Sequence, residues 1–405
     1  MLILNIIFIF LFIIICSDLC INCFPKTNLV LIPIGYKSRE ENNIIEVFID
    51  LKIINKSNSK ETMVSNLNLD VDFFRGKNNQ YLKELDYEES IYIYTESTKK
   101  NINNYWPTTI IKANSEVFIQ VILKFKNSDL KNKIKYIWLK VFWDNYGHFG
   151  MTKKQDGLLV NLNRNNLNKK ELIQIPLKQD YKAIAVKTDL LGTFDNPIET
   201  VMHYCKGVTK KNDILTIGET PLAIMQGRYI APENLEYSIF SKILCYFFHP
   251  TSSLATACGM QLLIDKIGVT RITLSLILGF LFKCIGIKGI FYRLTGFESS
   301  LIDDISGTVV PYDKSIVMGP IKTKLFCDKL SKQLEVEVAV VDVNDLGGVK
   351  ILASSNKSVN NILKEILKVN PAGNSDEKTP IVLILSLIHI SEPTRPLYIS
   401  YAVFC

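Results

Sequence analysis

The stretch Asn212–Arg228 reads NDILTIGETPLAIMQGR, and it changes period in the middle. Its first half is a short apolar run, Ile214 to Ile217, that reads as a strand ending at Gly218-Glu219. Thr220-Pro221 follows as an N-cap with proline at the first helical position, so a helix is expected from there. A helix start in that place would aim unsatisfied backbone N–H groups at a phosphate or carboxylate. Gly218 would permit close approach, and Arg228 could pair with an anion. An ordinary strand-to-helix turn has the same pattern, so the stretch fixes local structure before it says anything of chemistry.

Outward from this turn the alternation continues. KAIAVKTDLL, residues 182–191, reads as a strand, and DNPIETVMHYC, 195–205, as a helix with Asp195 as N-cap and Pro197 in its first turn. LEVEVAVVDV and VKILASS read as strands joined through NDLGG. TRITLSLILGFLFKCIG, 270–286, is strongly apolar but short for a membrane span between Arg271 and Lys283, and reads as a buried or interfacial helix. Residues 173–384 are therefore a mixed α/β region.

Upstream the period is two. In NNIIEVFIDLKII, 42–54, Ile45, Val47, Ile49, Leu51 and Ile53 alternate with Glu46, Phe48, Asp50 and Lys52. SEVFIQVILKFK and IKYIWLKVFW repeat the pattern with Asn/Lys/Ser turns between, which predicts a β-sandwich-like module over 27–165. It gathers no catalytic residue types and reads as a structural or partner-binding module. Asn55-Lys56-Ser57 fits a glycosylation sequon. NLNRNNLNKKELIQ, 161–174, reads as the linker, giving an α+β chain overall.

The ends differ from the body. Residues 1–23 carry an uncharged run from Leu2 to Cys16, expected to act as a signal peptide or membrane anchor, with a secretory, membrane-associated or plastid destination. LSLIHISEPTR, 385–395, resembles the forward translation of a transposon-end sequencing adapter, so 385–405 is expected to be artefact and the natural chain to end a little past Ile384. The 405 residues are 47% hydrophobic and 21% charged, as in a protein with packed cores. The net charge of +7 is dispersed among acids, with no basic stripe interleaved with aromatics, which argues against nucleic acid as a partner. Cys205, Cys245, Cys258, Cys284 and Cys327 show no CxxC spacing and read as buried free thiols.

Three further stretches carry chemistry-bearing types. HPTSSLATACGMQ, 249–261, offers hydroxyls, Ser252 among them, at a helix start beside His249; the latter is an acid/base or a hydrogen-bonded loop residue. SLIDDISGTVVPYD, 300–313, carries Asp303, Asp304 and Asp313, and VDVNDLGG, 341–348, carries Asp342, Asn344 and Asp345. Such oxygens from separate strand ends suit a hard divalent cation, although Asp and Asn also favour turns for their own sake.

Together with AVKTDLL and NPAGNSDEKTPIVLI, 370–384, these blocks resemble, in order, the coenzyme F-420:gamma-glutamyl ligase family, especially its long, membrane-anchored cyanobacterial-type relatives. The resemblance covers Tyr181 to Ile384. It implies a gamma-glutamyl-ligase-like domain in which GTP, as co-substrate, activates an acceptor carboxylate as an acyl phosphate and L-glutamate displaces phosphate. It implies Mn2+ or Mg2+ held by Asp304 in a D-x-S context, by Asp342 or Asn344-Asp345, and by Asn374, with Asp376 and Glu377 close by. Nucleotide-side turns would be Lys187-Thr188-Asp189 and Gly218-Glu219-Thr220. Where shorter members carry Ser-Lys, this chain has Glu219-Thr220, so Arg228 or Lys187 would have to supply the missing cation. A homodimer is implied in the same way.

The leading expectation is an amide-forming ligase joining glutamate to a small-molecule carboxylate acceptor. A catalytically inactive membrane-associated binding or scaffold protein of the same fold, and a ligase for a different acidic acceptor, are the alternatives.

Overall fold

Among the described residues ten strands occupy 29–161, and the three period-two runs of the sequence are among them. The computed structural model describes residues 9–10, 12–16, 29–42, 44–75, 81–82, 85–95, 98–101, 108–126, 134–147, 150–162, 171–176, 181–250, 252–287, 289–296, 299, 301–303, 309–344, 347–373 and 377–386. The strands are β1 (Leu29–Glu41), β2 (Ile44–Asn55), β3 (Thr62–Phe74), β4 (Tyr81–Leu82), β5 (Tyr87–Thr95), β6 (Thr98–Asn101), β7 (Thr109–Ile111), β8 (Glu116–Lys126), β9 (Tyr136–Gly147) and β10 (Gly150–Asn161). They form two antiparallel sheets, β1-β2-β8-β5-β6 and β10-β9-β3-β4, with β7 on β3.

In β2 every second residue from Ile45 to Asn55 is buried, which is the alternation read from the sequence. Val47, Ile49, Leu51, Val121 and Leu123 from one sheet share a core with Ile137, Leu139 and Val141 from the other. Leu123→Ala should cost about 2–5 kcal/mol, because a fully buried leucine leaves a cavity in such a core. Denaturant unfolding would show this, and an unchanged midpoint would contradict the packing. The sequon expectation fails here. Asn55 is buried, and its Nδ2 donates to the carbonyls of Lys60 (2.9 Å) and Ile111 (3.0 Å), so the nitrogen is committed to closing a turn.

The second region holds a six-stranded mixed sheet in the order β11-β12-β18-β13-β16-β17. Its strands are β11 (Glu171–Pro176), β12 (Tyr181–Lys187), β13 (Ile214–Gly218), β16 (Glu337–Val343), β17 (Val349–Ser354) and β18 (Ile381–Ser386). A small pair, β14 (Tyr229–Ile230) and β15 (Ile316–Val317), stands apart. The central strands are apolar on both faces because helices cover both. On one face pack α1 (Pro197–Cys205), α2 (Glu219–Met225) and α7 (Thr323–Leu334); on the other packs α8 (Asn360–Ile366). Between α2 and α7 an excursion of α3 (Ile239–Leu244), α4 (Ala257–Ile267), α5 (Val269–Cys284) and α6 (Ile290–Thr295) builds its own core.

Local expectations are corrected at several points. The N-cap of α1 is Asn196, whose Oδ1 accepts from the N–H groups of Ile198 and Glu199, while Asp195 instead accepts from Gly192 N. The helix after β13 starts at Glu219 with Gly218 as N-cap, so Thr220-Pro221 lies inside its first turn. Cys205, Cys245 and Cys327 are buried free thiols, but Cys258 is half-buried and Cys284 exposed. Strand β18 runs to Ser386 and pairs Leu385 with Lys182, two residues into the adapter-like stretch; residues 387–405 lie outside the described set. Residues 9–10 and 12–16 are helical, and the rest of 1–28 lies outside it too.

Candidate functional site

Strand direction gathers the site. β13 and β16 run parallel, and β12 runs the same way because both β12 and β13 are antiparallel to β18. Three carboxyl-terminal strand ends therefore open on one edge of the sheet, at Lys187-Thr188, Gly218-Glu219 and Asp342-Val343, which is where open α/β sheets hold ligands. β17 and β18 run the opposite way and begin there, bringing Lys350 opposite Asp342 and Lys378-Thr379-Pro380 beside Thr188. The backbone closes the edge: Thr188 N donates to Lys378 O (2.8 Å) and Gly218 N to Pro380 O (3.0 Å).

A cavity of about 400 Å³ lies on this edge, lined by Thr188, Gly218, Glu219, Thr220, Asp303 and Asp342 among others. Asp303 is held by a two-bond antiparallel bridge to Val317, and Thr220 Oγ1 donates to its Oδ2 at 3.3 Å. Glu219 is buried, and its Oε2 has no hydrogen-bond partner among the described residues. Burial, then the charges of Asp342 and Asp303, push the Glu219 carboxyl up to about 9. Burial and then Asp342 raise Asp303 as well, opposed by the Thr220 hydrogen bond and by Lys350. Burial lowers the Lys350 ammonium, while Glu219, Asp342 and Asp303 pull it the other way.

The sequence expectations divide sharply here. Thr188, Gly218, Glu219, Thr220 and Asp342 meet in the cavity. Lys187 and Arg228 do not line it: Lys187 lies in β12 opposite Glu171, and Arg228 Nε donates to Gly319 O. Among the described residues Lys350 feels the charge of the acids without lining the cavity, and Lys378 stands on the cavity wall. His249 is exposed and Ser252 caps a short 3-10 turn that begins at Ser253, so these residues serve the helical excursion rather than the cavity; Thr251 lies outside the described residues. Asn344 sits in the β16–β17 hairpin, where its Oδ1 accepts from Gly348 N. Glu377 does not line the cavity, but its carboxylate stands where a Cβ on the lining residue Gly373 would fall. Asp304, Asp345, Asn374 and Asp376 lie outside the described residues.

Glu219, Asp303 and Asp342 are oxygen donors of the kind that Mg2+ and Mn2+ prefer, and Glu219 Oε2 has no hydrogen-bond partner among the described residues. No group of three or more His, Cys, Asp or Glu is close enough to hold a metal ion among the described residues.

The β-sandwich reaches the cavity through Asp189. Lys135 pairs with its Oδ1, Tyr136 Oη donates to the same oxygen at 3.2 Å, and Asn161 Nδ2 donates to Oδ2 at 3.2 Å. Beneath them Trp138, Tyr229 and Tyr312 pack edge-on or tilted in one aromatic cluster spanning both regions. The sequence offered no signal for Asp189 as a joint, or for Lys350, because neither is made by a local pattern.

The architecture is thus an Ig-like β-sandwich joined to a mixed α/β domain with an acid-lined cavity. Residues 30–164 match the family model for the N-terminal Ig-like domain of F420-0:gamma-glutamyl ligase, which relates the chain to those ligases through that module. No curated protein matches. Among solved structures, the GAE domain of GGA2p from Saccharomyces cerevisiae matches at 12% identity and TM-score 0.18, over 34% of this chain and 93% of that one. The collagen-binding subdomain of the Enterococcus faecalis surface protein ACE matches at 11% and 0.17, over 34% and 99%. A protein from Archaeoglobus fulgidus matches at 10% and 0.18, over 32% and 94%.

Proposed function

We propose that the chain is a metal- and nucleotide-dependent amide-forming ligase of the gamma-glutamyl type. The observation that carries the reading is the convergence of Glu219, Asp303 and Asp342 on one cavity at the ends of parallel strands, with Lys378 on its wall and the charge of Lys350 acting on the same acids. The match of the N-terminal module to the ligases' Ig-like domain supports it. The cation would be held by Asp342 with Asp304, Asp345 and Asn374, as the resemblance implies, since Glu219, Asp303 and Asp342 are not close enough to hold it by themselves. A divalent cation, when bound, neutralises charge on phosphoryl oxygens.

The chain's own groups do the rest by placement. The acceptor carboxylate attacks the terminal phosphoryl of GTP, the nucleoside diphosphate leaves, and the amine of L-glutamate then displaces phosphate from the acyl carbon. Lys350 and Lys378 offer the positive charge that Glu219 does not. The gap between the strand ends orients the reactants, and Pro221, Ile224, Val309 and Tyr312 narrow the cavity's apolar side against water.

Calorimetric titration with GTP and Mn2+ tests this. Metal-dependent binding is expected in the native chain and a loss of about 100-fold or more in Asp342→Asn, since a cation between carboxylate and phosphates is worth several kcal/mol. If neither GTP nor ATP binds with metal, the inactive scaffold reading is the better one. Binding without turnover of the coenzyme F-420 precursor as acceptor points to a different acidic acceptor.

A further inference from the structure

The helical excursion is apolar on its outer face as well as in its core, and several small polar residues are buried in it. In α5 the small polar residues Thr273 and Ser275 are buried, at 8% and 2% exposure, while Phe280 and Leu281 are 68% and 53% exposed. Leu274, Ile277, Leu278, Ile285 and Ile287 continue the outward apolar face. The same arrangement occurs in α3, where Ser241 is fully buried and Ile239 and Ile243 face out, followed by exposed Tyr246 and Phe247. A helix in water points such serines outward, and a single protein surface this apolar needs a covering phase.

Several observations say what covers it. Phe248 packs on Phe291 at 4.9 Å, tying the end of the α3 segment to α6, and α6 abuts α5 where Gly279 meets Phe291. Ile14 of the N-terminal apolar run is buried in this same helical core, with Ile9, Phe10, Phe12 and Ile13 exposed beside it. Between Tyr237 and Gly296 the chain carries six Lys and Arg (242, 266, 271, 283, 288, 293) against a single acid, Asp265. Among the described residues no single helix is long and apolar enough to cross a membrane, and α4 and α5 are bent by 111° where they meet. An apolar face with a basic fringe, on helices each too short to cross and sharply bent where two of them meet, is the make-up of a surface that lies in a bilayer interface.

We propose that α3, the turn after it, and the outer face of α5 form an internal membrane-docking surface, which seats this domain on an anionic lipid bilayer independently of the N-terminal apolar run. Phe247, Phe280, Leu281 and Ile285 enter the acyl boundary, and the flanking lysines and arginines meet the headgroups.

The test uses the full chain with phosphatidylcholine vesicles, with and without phosphatidylglycerol. Phe280→Trp should gain emission that shifts to the blue on vesicle addition and is quenched by brominated acyl chains. Phe247→Ser/Phe280→Ser/Ile285→Ser should weaken partitioning about tenfold or more with the N-terminus intact, as expected for three large side chains left in water. Removing phosphatidylglycerol should weaken native binding in a salt-dependent way. Three results would overturn the proposal. One is vesicle binding by Phe280→Trp with the added indole emission unmoved and unquenched. Another is unchanged partitioning of the triple variant. The third is a lipid-free self-association that the triple variant abolishes, which would assign the face to a second copy of the chain.

Discussion

Glu219→Gln should flatten the pH dependence of stability between about pH 4.5 and 9. The carboxyl is pushed up to about 9 by burial and by Asp342 and Asp303, against its ordinary 4.5. A raised carboxyl keeps its proton in the folded state and loses it in the unfolded one across that window. Its contribution is therefore fully present below the unfolded value and is lost as pH rises through the folded value. One such group gives a slope of up to about 1.4 kcal/mol per pH unit, which the amide removes. The variant's advantage over the native chain should thus grow with pH and level off above 9. Thermal unfolding across this range measures it, and parallel curves for the two proteins would refute the assigned environment. Asp303 is raised in the same sense, so some slope should persist in the variant. Under the proposed function a cation displaces this proton, so Mn2+ binding at neutral pH should release protons and show a buffer-dependent heat.

Asp189→Ala should destabilise the protein by about 3 kcal/mol, because it leaves Lys135 partly buried without its counter-charge and strips two acceptors at once. The loss should couple the two regions: Asp189→Ala and Lys135→Ala together should cost less than their sum, since each removes the same pair. Additive losses would mean that the joint between the sandwich and the cavity does not pass through this pair. Asp189 neighbours Thr188 at the cavity edge, so the same variant should also weaken ligand binding there, which separates the joint from a purely structural contact.

Much of this was legible in single stretches. The sandwich strands follow from alternation alone, since a β-strand puts every second side chain on one face whatever its partner. The strand Ile214–Gly218 and the turn after it were equally plain, though the helix began at Glu219 rather than after Thr220, because Gly218 gave the backbone its entry without a side-chain cap. Of the site, Gly218, Glu219 and Asp342 could be picked out at the ends of predicted strands and Thr220 as an expected N-cap, whereas Thr188 came only through the resemblance. Arg228 was misplaced because its spacing from the turn suggested an anion partner, whereas the chain folds it onto the Gly319 carbonyl.

What the sequence by itself determined is the local period, hence the order of a β module, a mixed α/β domain and an apolar excursion within it. Only the tertiary structure decided which charges face one another. Glu219, Asp303 and the hairpin that carries Asp342 and Lys350 come from three separate segments, and their mutual field depends on strand direction and register across the sheet, which no nearby residue encodes. It also decided that α5 turns its serine and threonine inward. Hydropathy counts apolar residues alike on either side of a helix, whereas their direction is set by what the neighbouring helices leave uncovered.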